Sequence, residues 1–258
     1  MIKFFCHIRQ TLIMENKTSK YLKYAIGEIV LVMIGILLAL QINNWNENRK
    51  IRAFEVKMLS EIRLELIRDT IYFNAIKERP TSANESIDKI IKFMDNGESE
   101  NDSILKYINN SINLSFQFIY HKGAYESLKS VGFDKISNDT IRIMMTGIYD
   151  FDLPRAGNLI VSGEARSKLA MENNFPKLFK YEMEKTPRGN RPALRSRVDN
   201  LVENSDFIEL IMYRKGYAMN SISRLNSIIR DCTELLLLLD KELEIKDPLS
   251  KLPNDKWN

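Results

Sequence analysis

The sequence predicts an all-α protein with one N-terminal transmembrane helix, a long amphipathic helix after it, and a soluble helical bundle. Three observations predict this fold class. The first is an apolar run from Tyr24 to Trp45. The second is an i, i+3, i+4 stripe of apolar residues from Ile51 to Ile76. The third is a run of apolar residues with helical spacing from Phe207 to Leu243, about ten turns at roughly 3.6 residues per turn.

The apolar run has the length and flanks of a membrane span. Every residue from Ile29 to Leu40 is apolar or glycine, and roughly 20 helical residues cover the ~30 Å hydrocarbon core. Basic flanks and the interfacial Trp45 favour a span over a buried core helix. The run is not followed by the small-x-small site that a cleaved signal peptide requires. We therefore interpret it as an uncleaved single-pass anchor.

The chain divides by composition into five regions. The predicted regions are a basic amphipathic arm on membrane lipids at 1–23, a transmembrane helix at 24–45, a membrane-proximal helix at 46–80, a helical domain at 81–247 and a C-terminal tail at 248–258. The short arm is easier to retain than the long C-terminal domain, and basic residues flank the span on both sides. We expect an inner-membrane protein with a cytoplasmic N-terminus and a periplasmic helical domain.

Proline and glycine set the expected helix ends. Pro80 is predicted to end the membrane-proximal helix, and Ser82 to Glu85 fits the capping box of the next one. Asp95-Asn96-Gly97 should stop that helix. Further breaks are expected at Pro154, Gly157, Pro176 and a loop from Thr186 to Pro192, which would divide this region into shorter helices. Ser205-Asp206 is predicted to cap the last helix, and Asp247-Pro248 to end it.

Charge and cysteine content exclude some classes of protein. Charged residues make up 28% of the 258 residues and the net charge is +4, so no large basic field indicates a nucleic-acid partner. If the chain spans once, Cys6 and Cys232 lie on opposite sides of the bilayer and cannot pair. The two histidines and two distant cysteines cannot supply HExxH or CxxC sites, and no P-loop or GxGxxG is present. No catalytic residue, metal ligand or cofactor is therefore predicted.

Four residues of the apolar run are candidates for function. Glu28 could bind a cation, relay a proton or pair with a partner helix, since intramembrane carboxylates are functional candidates, or it could reach the headgroups. Gly27, Gly35 and Ala39 repeat at intervals of four or eight residues on a face that passes close to Glu28. Small residues at this spacing let helix backbones approach each other. The pattern predicts a seam for a homo-oligomer or a partner helix.

A second candidate is a basic cluster formed by Lys185, Arg188, Arg191, Arg195 and Arg197. Arginines in such a loop-to-helix cluster can bind phosphate groups or an acidic partner. The alternative is a solvated surface, because aromatic or fold-level support for nucleic-acid binding is absent.

Two blocks of the sequence carry a family resemblance. Lys23 to Glu47, KYAIGEIVLVMIGILLALQINNWNE, follows an FF-x-x-IRQ-x-L arm and resembles a family of uncharacterised bacterial membrane proteins typical of Gram-negative genomes. Tyr125 to Asp139, with Arg142 and Tyr149 after it, is similar to the family's second recurrent block. The resemblance implies a single-span, mostly helical protein of a domain-of-unknown-function family, without an assigned activity.

Three hypotheses of function remain open. The leading one is a membrane-anchored, non-enzymatic interaction or sensing protein with an unknown protein partner, self-associating through its span. A second is a membrane-bound hydrolase or transferase with a site around Tyr120, His121, Tyr125 and Glu126. A third is a lipid or small-ligand carrier, which requires an apolar cavity inside the helical bundle.

Overall fold

The computed structural model describes residues 18–96, 102–187 and 189–246 of the chain. Helices make up most of this part of the chain, which confirms the predicted fold class. The chain forms two compact units, Met1–Glu55 and Val56–Asn258. Most of the predicted N-terminal arm and all of the predicted C-terminal tail lie outside the described residues.

The helices and strands follow one another with short connections. In chain order they are α1 (Thr18–Asp95), α2 (Asp102–Ile112), α3 (Gly123–Val131), α4 (Asp139–Gly147), α5 (Leu153–Leu178), β1 (Phe179–Thr186), β2 (Gly189–Ser196) and α6 (Ser205–Lys246). A 3₁₀ turn follows α3, and the π-helical turn Ile148–Asp152 joins α4 to α5. The segment between α2 and α3 has no regular secondary structure.

The helix end predicted at Pro80 is wrong. Pro80 lies inside α1, which continues to Asp95, so the expected capping box at Ser82 to Glu85 is helix interior. The physical reason is that Pro80 is itself buried and sits in an unbroken stripe with the buried Ile76, Ala83 and Ile87. Core packing of this stripe outweighs the roughly 3 kcal/mol that an interior proline costs. The predicted stop after Asp95 is confirmed.

The expected division of residues 154–192 into short helices is also wrong. Pro154 occupies the first turn of α5, where a proline is tolerated, and Pro176 lies two residues before its end. Gly157 allows a close approach, since a Cβ added there would lie 3.2 Å from the Phe118 ring. A single helix therefore runs from Leu153 to Leu178.

The loop predicted from Thr186 to Pro192 is instead the tip of a β-hairpin. Strands β1 and β2 pair antiparallel from Phe179 opposite Ser196 to Thr186 opposite Gly189. Gly189 has a φ of +112°, which favours glycine, and the Thr186 hydroxyl donates to its carbonyl oxygen at 2.7 Å. Lys185, Arg191 and Arg195 of the basic cluster therefore lie on strands, and Arg197 directly follows β2, whereas a loop and a helix were expected.

Asparagine side chains cap the N-termini of two helices of the second unit, α4 and α6. The Asn138 side chain accepts the N–H groups of Thr140 and Ile141 at the start of α4. The Asn204 side chain accepts those of Asp206 and Phe207 at the start of α6, so the cap lies one residue before the predicted Ser205-Asp206. Capping by asparagine stabilises a helix N-terminus by satisfying otherwise unpaired N–H groups.

One hydrophobic cluster joins α1, α2, the hairpin and α6. Its members are buried and include Ile87, Ile90, Ile104, Ile108, Phe179, Leu194, Phe207 and Leu210. Helix α5 packs along α6. The base of the hairpin is therefore fixed in the core through Phe179 and Leu194, whereas its tip is exposed.

Candidate functional site

The apolar segment of α1 leaves its side chains exposed. Ile29, Leu31 and Leu37 are 60%, 66% and 61% exposed. A core helix would bury such side chains, so the core-helix alternative does not fit this segment. Within the described part of the chain, α1 is the helix long and apolar enough to cross a membrane.

The predicted seam residues line one side of this segment. A Cβ added to Gly27 or Gly35 would meet no atom within 4 Å, and Ala39 is exposed. Glu28 is half-buried. The helix backbone at both glycines is therefore open to a neighbour, which is the geometry that a small-residue seam requires.

The residues of the hypothetical catalytic site have different surroundings. The His121 ring is 55% exposed, and its Nδ1 lies 2.6 Å from Oδ1 of the buried Asp69. Tyr125 is only 1% exposed and belongs to the core. Glu126 is exposed and pairs with Lys122 at 3.5 Å. The structure thus joins His121 to Asp69, which the sequence analysis did not single out, and places Tyr125 in the core.

Two carboxylates of α1 hold the start of α3. Asp69 accepts the backbone N–H of His121 at 2.9 Å, and Glu65, one turn earlier, accepts that of Ala124 at 3.1 Å. Negative charge is favourable at a helix N-terminus because the N–H groups there lack helical partners. Asp69 and Glu65 therefore hold the N-terminal end of α3, directly before Tyr125, on α1. The sequence analysis singled out neither residue.

Tyr125 and Tyr149 are both buried and stack on each other. Their rings stack with centroids 4.5 Å apart and planes 8° from parallel. Burial raises the pKa of the Tyr149 phenol far above its ordinary value, and the nearby charges of Glu65 and Asp69 act in the same direction. The Tyr149 phenol therefore stays protonated, and this part of the block is built for packing.

The basic cluster is partly neutralised on the hairpin. Glu184 pairs with Arg191 across the strands at 3.0 Å and lies 3.6 Å from Arg195. These residues and Lys106 of α2 line a cleft of about 260 Å³, which we call the arginine cleft. Arg188, the third arginine of the predicted site, lies outside the described residues. The sequence analysis missed Glu184 because cross-strand pairing was not expected, and it missed Lys106 because that residue comes from a distant helix.

A separate groove of about 280 Å³ lies between α5 and α6. Its lining includes Gly163, Arg166, Met212, Tyr213, Gly216 and Tyr217. Met212 and Tyr213 are 47% and 44% exposed, so this is a surface groove and not a cavity inside the bundle. The carrier hypothesis, which requires an internal apolar cavity, remains a prediction.

No group of three or more histidine, cysteine, aspartate or glutamate side chains is placed to hold a metal ion within residues 18–96, 102–187 and 189–246. Cys232 is buried in α6. Burial raises the pKa of its thiol to about 12, and Asp69 is one of three carboxylates that act in the same direction. A thiol with this pKa is unreactive at neutral pH, as expected for a core residue.

Comparison with known proteins identifies the family. A family model described as a family of unknown function (DUF6090) matches residues 28–215, which is more than half of the chain. The match begins within the apolar segment and includes α2 to α5, the hairpin and the start of α6. No curated protein and no solved structure is significantly similar to the chain. This match shows that the chain belongs to the DUF6090 family of unknown function.

Proposed function

We propose that this chain is a membrane-anchored, non-enzymatic interaction or sensing protein that self-associates through its apolar helix. The observation that carries the proposal is the exposure of the apolar segment of α1, together with the open backbone at Gly27 and Gly35. Lipid or another helix can cover such a surface, whereas water cannot do so without a large cost in free energy.

The energetics favour lipid around this segment. About a dozen aliphatic side chains at roughly −0.3 to −0.6 kcal/mol each outweigh one carboxylate that costs about 3 kcal/mol at the bilayer centre and less near its edge. Glu28 lies near the start of the segment, where its cost is reduced. Trp45, 65% exposed with the Arg49 guanidinium 5.7 Å from its ring centroid, suits the opposite interface.

The seam is tested by cysteine crosslinking in native membranes. In a Cys6→Ser background, Leu31→Cys places a thiol between Gly27 and Gly35 on the proposed face, and Met33→Cys places one on the opposite face. Mild oxidation should yield disulfide-linked dimers with Leu31→Cys and few with Met33→Cys. Equal yields at the two positions would contradict a specific seam.

Bulky substitutions provide the matched control for that experiment. Gly35→Leu and Ala39→Leu should reduce the Leu31→Cys dimer severalfold, because the added side chains keep the backbones apart. Leu40→Phe adds comparable bulk on the other face and should leave the dimer unchanged. An undiminished dimer in the Gly35→Leu variant would refute self-association through this face.

The orientation belongs to the same proposal and is tested with the native cysteines. With a cytoplasmic N-terminus, a membrane-impermeant thiol reagent applied to intact spheroplasts should not label Cys6. Labelling should appear after the membrane is permeabilised. Labelling of Cys6 before permeabilisation would reverse the proposed orientation and leave the seam proposal untouched.

The contact between His121 and Asp69 favours a second candidate, a hydrolase or transferase. A buried carboxylate that orients an exposed imidazole is one part of a general-base arrangement. A substrate screen with the full chain would support this candidate if activity is lost in His121→Ala and retained in Lys122→Ala, a neighbouring exposed change. Activity that is equal in both variants would exclude His121 as the base.

A further inference from the structure

The arginine cleft combines three cationic side chains with one carboxylate. Lys106 comes from α2, and Arg191, Arg195 and Glu184 come from the hairpin. At neutral pH these four side chains carry a net charge of +2. Glu182, on the same strand face, is paired with Lys180 at 2.6 Å, and the nearby charge of Arg195 also helps to lower the pKa of its carboxyl. The side chains that line the cleft thus carry a net positive charge.

The register of the hairpin fixes this arrangement. Glu184 is directly opposite Arg191 in the antiparallel pairing, and Arg195 lies on the same strand face four residues further along. One Glu184 oxygen accepts from Arg191 Nε at 3.2 Å and Nη2 at 3.0 Å, whereas the other lies 3.6 Å from Arg195 Nη2. A single carboxylate therefore bridges two guanidinium groups.

The base of the hairpin and helix α2, which carry the cleft, are anchored in the core. Leu194, next to Arg195, is buried, and the Arg197 side chain donates to the Phe179 carbonyl oxygen at 2.9 Å. The buried Arg214 donates to the Ser111 carbonyl at the end of α2. The backbone that carries Arg195 and the end of α2 thus belong to packed elements.

The ion pairs inside the cleft are accessible and exchangeable. The side chains of Arg191, Arg195 and Glu184 are 68%, 37% and 37% exposed. Exposed ion pairs contribute little stability because water and salt screen them. A ligand with more negative charge than one carboxylate can therefore displace Glu184 from the guanidinium groups.

We propose that the arginine cleft binds a phosphomonoester, with the phosphate taking the place of the Glu184 carboxylate between Arg191 and Arg195. A phosphomonoester carries about −1.5 to −2 charges at neutral pH, which matches the net charge of the cleft. The guanidinium fork binds phosphate oxygens in pairs, and Lys106 supplies a point charge at the same site. The phosphomonoester can belong to a soluble metabolite or to the headgroup of phosphatidic acid.

The proposal is tested on the full chain in nanodiscs. Inorganic phosphate is titrated calorimetrically into protein in nanodiscs of phosphatidylcholine alone, and the titration is repeated in nanodiscs that contain phosphatidic acid. Binding in the first and not in the second indicates that the headgroup occupies the cleft; equal binding in both indicates a soluble ligand. An absence of phosphate binding in both would overturn the proposal.

Variants distinguish a phosphate site from a surface ion pair. Arg191→Gln and Arg195→Gln should each weaken phosphate binding by about tenfold, as expected for loss of a charge-assisted contact. Glu184→Gln should strengthen binding severalfold because it removes the competing carboxylate. Arg230→Gln, an exposed arginine on α6 paired with Asp231, should leave binding unchanged.

Two results would contradict the proposal even if phosphate binds. One is a Glu184→Gln variant that binds no more tightly than the wild type, since the carboxylate would then not compete. The other is an equal loss in Arg230→Gln and Arg195→Gln, which would indicate unspecific attraction to a basic protein. Thermal unfolding of each variant checks that the hairpin still folds.

Discussion

The ring Nδ1 of His121 lies 2.6 Å from a carboxylate oxygen of Asp69, and the same carboxylate accepts the backbone N–H of His121 at 2.9 Å. The Asp69 side chain is 3% exposed, whereas that of His121 is 55% exposed. Asp69, the buried partner, is therefore the residue whose contacts stabilise the fold. The backbone contact, together with the neighbouring contact of Glu65, holds the start of α3 on α1.

We predict that Asp69→Ala destabilises the protein more than His121→Ala. Removal of the Asp69 carboxylate leaves the backbone N–H of His121 without its acceptor, which costs about 1–3 kcal/mol when the group is buried. Removal of the exposed His121 ring loses only the contact between Nδ1 and Asp69. Urea unfolding of both variants measures the difference. A His121→Ala variant that is the less stable of the two would show that the imidazole, not the backbone contact, anchors α3.

The pH dependence of stability should report the burial of Asp69. Burial raises the pKa of its carboxyl above the ordinary value of 3.8, although hydrogen bonds from His121 act in the opposite direction. A raised folded-state pKa means that this group's contribution to stability is fully present below the unfolded pKa and is lost as the pH rises through the folded pKa. Asp69→Asn, which stays neutral, should therefore be most destabilising near pH 4 and less so near pH 7.

The test measures the difference in unfolding free energy between the wild type and Asp69→Asn across this pH range. This difference reports the titration of the Asp69 carboxyl alone, because all other groups are shared by the two proteins. Repeating it in a His121→Ala background removes any contribution from titration of the imidazole. A destabilisation that grows from acid to neutral pH would mean that the hydrogen bonds from His121 outweigh burial. In that case the pKa of Asp69 is lowered in the folded protein.

Arg214 is predicted to be a major stabilising residue. Its buried guanidinium donates to the carbonyl oxygens of Ser111 and Leu114 at 2.8 Å and to the Ser167 hydroxyl at 3.1 Å. Arg214→Met fills similar space but leaves these acceptors unpaired, so we expect a loss of about 3 kcal/mol in unfolding free energy. Arg230→Met, at an exposed site, should change it by less than about 0.5 kcal/mol. Equal effects in chemical denaturation would contradict this role for Arg214.

The sequence could predict the elements whose signals are local. The stop after Asp95 and the periodic stripe of α6 are such signals, and the structure confirms both. Pro80 was misread because a local rule was applied to a residue that lies within a buried stripe. The apolar spacing continues in phase on both sides of the proline, and this periodicity was the signal that could have corrected the prediction.

The candidate sites were less predictable because they depend on contacts between distant residues. Asp69 meets His121 across 52 residues of chain, and no spacing rule predicts that contact. Arg191 and Arg195 were identified from composition, but their shared contact with Glu184 requires the hairpin register. The hairpin itself was missed because its strands are short of apolar alternation and its outer residues are charged.

Two glycines near the second recurrent block should respond oppositely to alanine. Gly132 has a φ of +114°, and a Cβ there would lie 2.5 Å from an Asp134 oxygen. Gly132→Ala should therefore cost about 1–3 kcal/mol. Gly147, with a φ of −58° and no atom within 4 Å of an added Cβ, should gain about 0.5–1 kcal/mol on Gly147→Ala. Melting temperatures that shift in the same direction in both variants would show that the backbone conformation of each glycine does not determine the effect of alanine on stability.

Cys232 should report the unfolding of the C-terminal unit. Its thiol is fully buried, and burial raises its pKa to about 12, so the nucleophilic thiolate is nearly absent near pH 8 in the folded protein. In a Cys6→Ser variant, alkylation by iodoacetamide should be slow without denaturant and should accelerate steeply through the urea unfolding transition. The destabilising Gly132→Ala change should raise the rate in buffer, because the reaction proceeds through the unfolded population. Rapid alkylation of the folded Cys6→Ser variant would instead mean that α6 opens locally around the thiol.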